Sequence, residues 1–229
     1  MKKSIFIVID GTDGSGKTLQ AELLREAMEK RGLRVHMADF PRYHEPSSYF
    51  VKEMLNGAYG PIENIHPEVA SMFYALDRFA AKPELEDALA EGKMVIANRY
   101  ISANMGHQMG KIKDPQQRED FIKWLYELEY ERHGIPRPDR VLFLHVPPEI
   151  GSNLVDKKVE NREYLQGGEK KDIAEKNLAH QKCAEEAFLY CCEHLDDWTH
   201  IKCTENSQIL PKETIHNMIL NEINKVLSQ

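Results

Sequence analysis

A glycine-rich stretch near the start of the chain has residue types and spacing suited to binding phosphate. Residues 11–18 read GTDGSGKT and match the pattern G-x-x-x-x-G-K-[ST] at every fixed position. In this pattern backbone N–H groups wrap an anion, the lysine reaches the outer phosphates and the last hydroxyl binds magnesium. The complete match, between an apolar strand and an amphipathic helix, favours nucleotide binding over a turn that only links the two elements. The predicted ATP-binding residues are Gly11, Asp13, Gly14, Ser15, Gly16, Lys17 and Thr18.

Apolar segments that alternate with helical patterns must position this loop. Continuous apolar runs predict strands over residues 5–9, 33–38, 94–97, 141–146 and 198–203. Periodic apolar positions predict a helix after the glycine-rich stretch, a helix at the C-terminus, and helices over residues 66–91, 115–132 and 172–195. Runs that are apolar on both faces are typical of parallel strands covered by helices. The sequence therefore predicts one α/β domain over residues 1–229, with a five-stranded parallel sheet flanked by helices.

Composition limits the class of protein. The chain has 229 residues, 41% of them hydrophobic, and a net charge of −7, which argues against a general nucleic-acid binder but allows an anionic ligand in a locally positive cleft. No apolar run is long enough for a membrane span. The short apolar run near the N-terminus is interpreted as the first strand, residues 5–9, and not as part of a signal peptide, because it lacks a small-residue cleavage site and passes directly into the glycine-rich motif. The four cysteines lack metal-site spacing and are expected to be reduced thiols of a cytoplasmic protein.

Aromatic and basic residues follow the second and third predicted strands, where parallel α/β folds bind ligands. These segments are DFPRY at residues 39–43 and NRY at residues 98–100. Tyr74 and Arg78 are four residues apart on a predicted helix, so a ring and a guanidinium share one face. Taken singly, Arg42 could be a surface cation, Tyr74 a core aromatic and Arg78 the partner of a nearby acid. Together with the phosphate loop, they outline a second nucleotide site.

The ordered set IDGTDGSGKT, DFPRY, FYALDR and NRYISAN resembles the thymidylate kinase family, which phosphorylates dTMP from ATP, and the likeness runs nearly end to end. It implies a phosphate-loop NTPase fold with a small mobile lid over about residues 149–171, a homodimer, and Mg²⁺ with ATP as the phosphoryl donor. The implied activity gives dTDP for dTTP synthesis, with ATP and dTMP as partners and neither nucleic acid nor membrane. Two alternatives stay open: a same-fold kinase for another deoxynucleotide or deoxynucleoside, and a non-catalytic nucleotide-binding protein.

The resemblance also implies where dTMP is bound. Asp13 is expected to bind the 3′-hydroxyl, and Arg42 and Arg99 the phosphate. For the base, the resemblance implies stacking by Tyr74, hydrogen-bond donation by Arg78 and a place near the thymine ring for Asn104. His107 is expected near the 2′ position, and Phe40 in another part of the pocket. Arginine suits these tasks because its planar fork matches phosphate, and a buried donor left unpaired penalises the wrong base.

Phosphoryl transfer depends chiefly on positioned cations around the moving group. The variable positions of the phosphate loop hold no basic residue, so the segment after Pro148 must supply positive charge. Arg162 is the candidate there, since its fork suits phosphate better than a lysine does. A solvated, charged hairpin is the alternative interpretation. The predicted catalytic residues are Lys17, Arg99, Asp13 and Arg162.

Three positions depart from the family pattern. Asn98 stands where the family usually has an aspartate, Asp10 where glutamate is more common, and His107 where an aromatic residue is usual. An amide keeps an oxygen ligand but loses the charge, so weaker magnesium binding is expected. The predicted metal ligands are Thr18, Asn98 (directly or through water) and Asp10.

Overall fold

The computed structural model describes residues 4–155 and 177–228, and its main sheet is the one that the sequence predicts. The strands of this sheet are β1 (Phe6–Gly11), β2 (Val35–Asp39), β3 (Met94–Asn98), β4 (Arg140–His145) and β5 (Trp198–Lys202). They are all parallel, in the order β2-β3-β1-β4-β5. The prediction of an α/β fold around a five-stranded parallel sheet is therefore confirmed.

Helices cover both faces of the sheet. The described α-helices are α1 (Lys17–Lys30), α2 (Tyr49–Leu55), α3 (Pro67–Ala90), α4 (Ile101–His107), α5 (Pro115–Tyr126), α6 (Pro148–Val155), α7 (Leu178–His194) and α8 (Lys212–Leu227). A π-helical segment, Glu127–Arg132, continues from α5, and a hairpin of β6 (Thr204–Glu205) and β7 (Gln208–Ile209) follows β5. The sequence patterns do not predict α2, α4 and α6, because each is too short to show a helical period. Within the described ranges, no helix is both long and apolar enough to cross a membrane.

Asn177 sets the start of α7. Its side chain accepts a hydrogen bond of 3.0 Å from the N–H of His180, which satisfies one of the donors left open at a helix N-terminus. The helix predicted over residues 172–195 is therefore observed from Leu178, and residues 172–176 lie outside the described part of the chain. The same cap fixes the position of His180 in the first turn of the helix.

Two apolar layers cover the sheet because the side chains of a strand alternate between its faces. On one face, Phe6 and Val8 of β1 pack with residues of α3, α4, α5 and α7. On the other face, Ile7 and Ile9 pack with residues of α1 and α8. Both faces of the sheet are thus shielded from solvent by helices, which explains the unbroken apolar runs in the sequence. The polar residues of the predicted site are left at the carboxyl edge.

Candidate active site

The loop between β1 and α1 has the inward-wrapping backbone that its glycines predict. Gly14 and Gly16 have φ angles of 78° and 82°, in the left-handed region that favours glycine. A side chain at Gly14 would also collide with the carbonyl group of Gly151 in α6. The loop is therefore packed closely under α6, and the N-terminus of α1 opens onto it, which is an arrangement suited to an anion.

Lys17 and Thr18, the first residues of α1, lie where the phosphate pattern requires them. The Nζ atom of Lys17 donates to the carbonyl oxygens of Gly11 and Thr12 at 3.0 and 2.9 Å. The hydroxyl of Thr12 donates to the carbonyl oxygen of Val146 at 2.5 Å, which fastens the loop to the end of β4. Thr18 is exposed, while Lys17 is buried, so the ammonium charge lies inside the loop.

Arg99 joins the phosphate loop to the end of the third strand. Its Nη2 donates to Oδ1 of Asp13 at 2.7 Å, and its Nη1 lies 3.2 Å from Nε2 of His107. The φ angle of Arg99 is 63°, a strained value for a residue with a side chain that is typical of functional positions. Burial alone would raise the pKa of Asp13, but Arg99 and Lys17 hold the pKa of that carboxyl well below its usual range. The structure thus brings Asp13, Arg99 and His107 together.

His107 stacks on a second imidazole that the sequence does not single out. The rings of His107 and His180 lie 5.7 Å apart with 19° between their planes. Burial and the charge of Arg99 push the pKa of His107 well below its ordinary value. Burial, with a smaller effect of Lys111, lowers the pKa of His180 to about 4. Both rings are therefore neutral near pH 7, and His107 accepts from Arg99 through Nε2. His180 lies outside every motif, so only its contact with His107 reveals it.

Arg42 is held by Asp77, whose role the sequence reasoning missed. The carboxylate of Asp77 accepts from the backbone N–H of Arg42 at 2.8 Å and from its Nε at 3.3 Å. Ser47 donates to the same carboxylate at 2.5 Å. Asp77 is 1% exposed, so these hydrogen bonds fix the loop after β2 while Arg42 stays partly accessible. The one sequence feature that could have pointed to Asp77 is its position next to Arg78 in the FYALDR segment.

Arg78 has different contacts from those expected of a base-reading residue. Its Nε and Nη2 each donate to the carboxylate of Glu129 at 2.6 Å, and both residues are buried. Its Nη1 donates to the carbonyl oxygen of Tyr100 at 3.1 Å. Direct donation from Arg78 to a base stays a prediction. The observed contacts favour a positioning role beneath the turn that carries Arg99.

The remaining predicted acceptor residues lie at different depths. Tyr74 is half-buried against the apolar clusters formed with α2. Asn104 is buried, and its Nδ2 donates to the carbonyl oxygen of Ser71 at 3.3 Å. Phe40 is 3% exposed, and its ring centre lies 5.6 Å from that of Tyr100. The side chain of Phe40 thus packs in the core, and its predicted place in the dTMP pocket stays a prediction.

Oxygen and nitrogen atoms meet at the carboxyl ends of β2 and β3, beside the start of α1. The Nδ2 atom of Asn98 lies 2.9 Å from Oδ1 of Asp39 and 3.4 Å from Oγ1 of Thr18. The Oδ1 atom of Asn98 is buried without a hydrogen-bond partner among the described residues. In residues 4–155 and 177–228, no group of three or more His, Cys, Asp or Glu side chains could hold a metal ion. Magnesium is commonly bound by one or two protein oxygens together with water molecules and substrate phosphates.

Asp10 and Arg162 complete the predicted set. The oxygens of Asp10 accept from the N–H of Gly11 at 2.8 Å and from the hydroxyl of Ser102 at 2.6 Å. Asp10 is fully buried, and this burial raises the pKa of its carboxyl. Its contacts favour fastening the loop to α4, and its predicted role as a metal ligand stays untested. Arg162 and the predicted lid beyond residue 155 lie outside the described residues.

A recess of about 420 Å³ lies between the start of α6 and the β6–β7 hairpin. Its lining includes Ile150, Lys202 and Thr204. It adjoins the phosphate loop, because Thr12 is bonded to Val146 just before α6. No sequence motif indicated this recess, which forms only when β5 and α6 are brought together by the fold.

Comparisons with known proteins identify the family of the chain. The sequence profile described as "Thymidylate kinase" matches residues 9–219. A "Probable thymidylate kinase" of Thermococcus kodakarensis is 27% identical over 98% of this chain and 100% of its own length. Another of Pyrococcus horikoshii is 32% identical over 63% of this chain and 66% of its own length.

The fold is also found in a solved structure. The chain superposes on thymidylate kinase from Candida albicans with a TM-score of 0.71 and 19% identity, covering 97% of this chain and 92% of that one. This likeness confirms the expected phosphate-loop NTPase fold. Because the family profile spans nearly the whole sequence, the chain belongs to the thymidylate kinase family.

Proposed function

We propose that the protein transfers the γ-phosphate of ATP to dTMP, giving dTDP, with magnesium bound beside the donor phosphates. The observation that carries this proposal is the 2.7 Å contact between Asp13 of the phosphate loop and Arg99 at the end of β3. It brings the phosphate loop and an arginine whose guanidinium suits a phosphate into one cleft. Phosphoryl transfer needs little more from a protein than such alignment and positioned cations.

The donor side is built on the phosphate loop. The N-terminus of α1 receives the phosphates, and Lys17 supplies charge at the outer ones. The recess beside Ile150 is assigned to the nucleoside end of ATP, because it adjoins the loop. Magnesium fits the residues around Thr18, where the hydroxyl of Thr18 lies 3.4 Å from the amide nitrogen of Asn98, which in turn lies 2.9 Å from the carboxylate of Asp39. A bound ion would neutralise charge on the phosphates. Arg162 is assigned to the transferring phosphate from the lid.

The acceptor side is built on two arginines. Arg99 and Arg42 are assigned to the phosphate of dTMP, since a guanidinium can donate two parallel hydrogen bonds. The low pKa of Asp13 keeps its carboxylate ionised, so it can accept from the 3′-hydroxyl. The base and the 2′ position are assigned to Tyr74, Asn104 and His107.

A panel of acceptors tests this function. Coupled formation of ADP is measured with ATP, magnesium and each of dTMP, dUMP, dCMP, dAMP, dGMP and thymidine. We expect dTMP to give the highest kcat/KM. Preference for another member of the panel would establish the same-fold alternative. Binding of ATP and dTMP without ADP formation at any magnesium concentration would establish the non-catalytic alternative.

The homodimer is proposed to form through α3. Val69, Met72, Leu76 and Phe79 are exposed apolar residues of this helix, spaced by three, four and three positions, and so form one stripe. Tyr49 and Phe50 of α2 are also exposed, and the ring of Phe50 stacks on that of Phe73 of α3 at 5.4 Å. A stripe with this spacing can pack on a copy of itself across a two-fold axis.

Light scattering after size exclusion tests the dimer. Wild-type protein should have the mass of two chains, and Leu76→Glu should shift it to one. Leu227→Glu, which changes an equally apolar but distant exposed residue at the end of α8, is the matched control and should stay dimeric. A monomeric wild type would contradict the proposal. The cytoplasmic location and the lack of a nucleic-acid partner stay predictions.

A further inference from the structure

The carboxylate of Asp39 lies at the magnesium end of the cleft, beside the amide that replaces the expected acid. Asp39 ends β2 and is the register partner of Asn98, which ends β3. Asn98 Nδ2 donates to Asp39 Oδ1 at 2.9 Å and lies 3.4 Å from Thr18 Oγ1. The last side chains of two neighbouring strands thus meet the first turn of α1.

The amide of Asn98 faces this point with its nitrogen. A neighbouring carboxylate needs a donor, so Nδ2 faces Asp39, and the amide oxygen is buried without a partner in the described part of the chain. Magnesium takes oxygen ligands, and an N–H group is a donor with no lone pair to offer. In this orientation Asn98 is suited to hold Asp39 and not to bind the ion.

Other acids at this edge are committed elsewhere. Asp10 is fully buried and accepts from the N–H of Gly11 and from Ser102. Asp13 is paired with Arg99 at 2.7 Å. Asp39, in contrast, is exposed to solvent, where a hydrated ion can reach it.

We propose that Asp39 supplies the anionic oxygen of the magnesium site, directly or through one water molecule, and that Asn98 is a positioning residue that holds this carboxylate. The proposal rests on the proposed function, since the ion is the one that accompanies ATP. The negative charge that is expected at position 98 of β3 is then supplied by Asp39 of the neighbouring strand β2. The amide is then no sign of lost activity, because the site keeps its charge.

Binding of Mn²⁺ to the protein–ATP complex, followed by the EPR signal of free Mn²⁺, tests the assignment without relying on turnover. Asp39→Asn keeps the size and an acceptor but removes the charge, and should weaken Mn²⁺ binding about ten-fold or more. The exchange variant, Asp39→Asn with Asn98→Asp, should recover most of this loss. Asp196→Asn, an exposed acid at the opposite edge of the sheet, should leave Mn²⁺ binding unchanged.

Unchanged Mn²⁺ affinity in folded Asp39→Asn would overturn the proposal, as would an exchange variant as weak as the single one. Equal losses in the Asp39 and Asp196 variants would also overturn it, because they would reflect net charge alone. The acceptor panel separates this outcome from failure of the proposed function. If wild type forms no dTDP but Asp39→Asn weakens Mn²⁺ binding, only the proposed function is contradicted. If wild type forms dTDP and Asp39→Asn leaves Mn²⁺ affinity unchanged, only the assignment of Asp39 as a ligand is contradicted.

Discussion

The guanidinium of Arg78 donates two hydrogen bonds of 2.6 Å to the carboxylate of Glu129, and both side chains are buried. The pair ties α3 to the π-helical segment after α5. A third hydrogen bond, from Arg78 to the carbonyl oxygen of Tyr100, reaches the residue that follows Arg99. A buried charge that loses its partner is strongly destabilising, so this pair supports the turn that carries the active-site arginine.

Glu129→Gln should lower the free energy of unfolding by about 3–5 kcal/mol, because Arg78 would be left buried and uncompensated. Urea denaturation measures this loss. Glu131→Gln is the matched control in the same segment, where an exposed ion pair with Arg137 should contribute less than about 1 kcal/mol. Similar losses in the two variants would contradict the structural role of the buried pair.

Lys17→Ala should reduce kcat for ADP formation by about a thousand-fold or more, since its charge acts on the outer phosphates. The fold should persist, because Lys17 contacts the carbonyl oxygens of Gly11 and Thr12 and the carboxylate of Asp13 (3.9 Å), all of which belong to its own loop. Coupled kinetics and circular dichroism check both points. Lys30→Ala, an exposed lysine at the end of α1, should keep full activity. Full activity in folded Lys17→Ala would remove the phosphate-loop assignment.

His180 should make stability depend on pH. Its folded pKa of about 4 lies below the ordinary value of about 6.5, so the unfolded chain takes up a proton first as the pH falls. Between pH 7 and pH 4, the free energy of unfolding of the wild type should therefore fall by about 2–4 kcal/mol more than that of His180→Gln. His107 stacks on His180 and also has a lowered pKa, so its protonation lowers the stability of both the wild type and His180→Gln as the pH falls. Denaturant unfolding across this range measures the difference, and a constant difference would contradict the burial of a neutral ring.

The sheet and the phosphate loop could be predicted because their signals are local. The run at residues 5–9 and the glycine pattern at residues 11–18 each lie within one stretch of sequence. Pairs that join distant segments carry no such signal. Glu129 is 51 positions from Arg78 and faces it from a π-helical segment, which no apolar period predicts.

Asp39 and Phe40 show a second limit of sequence reasoning. Both belong to the DFPRY segment, yet the sequence analysis assigns the aromatic residue to the pocket and gives the acid no role. Neighbouring side chains at the end of a strand point to opposite sides, and only tertiary packing shows which side is the core. Phe40 packs on Tyr100, whereas Asp39 is exposed beside Asn98.

Asp77→Asn should raise the KM for dTMP about ten-fold and leave the KM for ATP nearly unchanged. Asp77 orients Arg42 by accepting hydrogen bonds from the backbone N–H and the Nε of Arg42. Without these hydrogen bonds, Arg42 should lose its alignment with the acceptor phosphate. Initial rates with each nucleotide varied in turn separate the two effects, and thermal unfolding confirms that the variant is folded. Asp87→Asn, an exposed acid on the same helix, is the control and should change neither constant. Equal increases in both KM values would mean that Asp77 supports the whole cleft, and no increase would mean that Asp77 does not align Arg42 for dTMP.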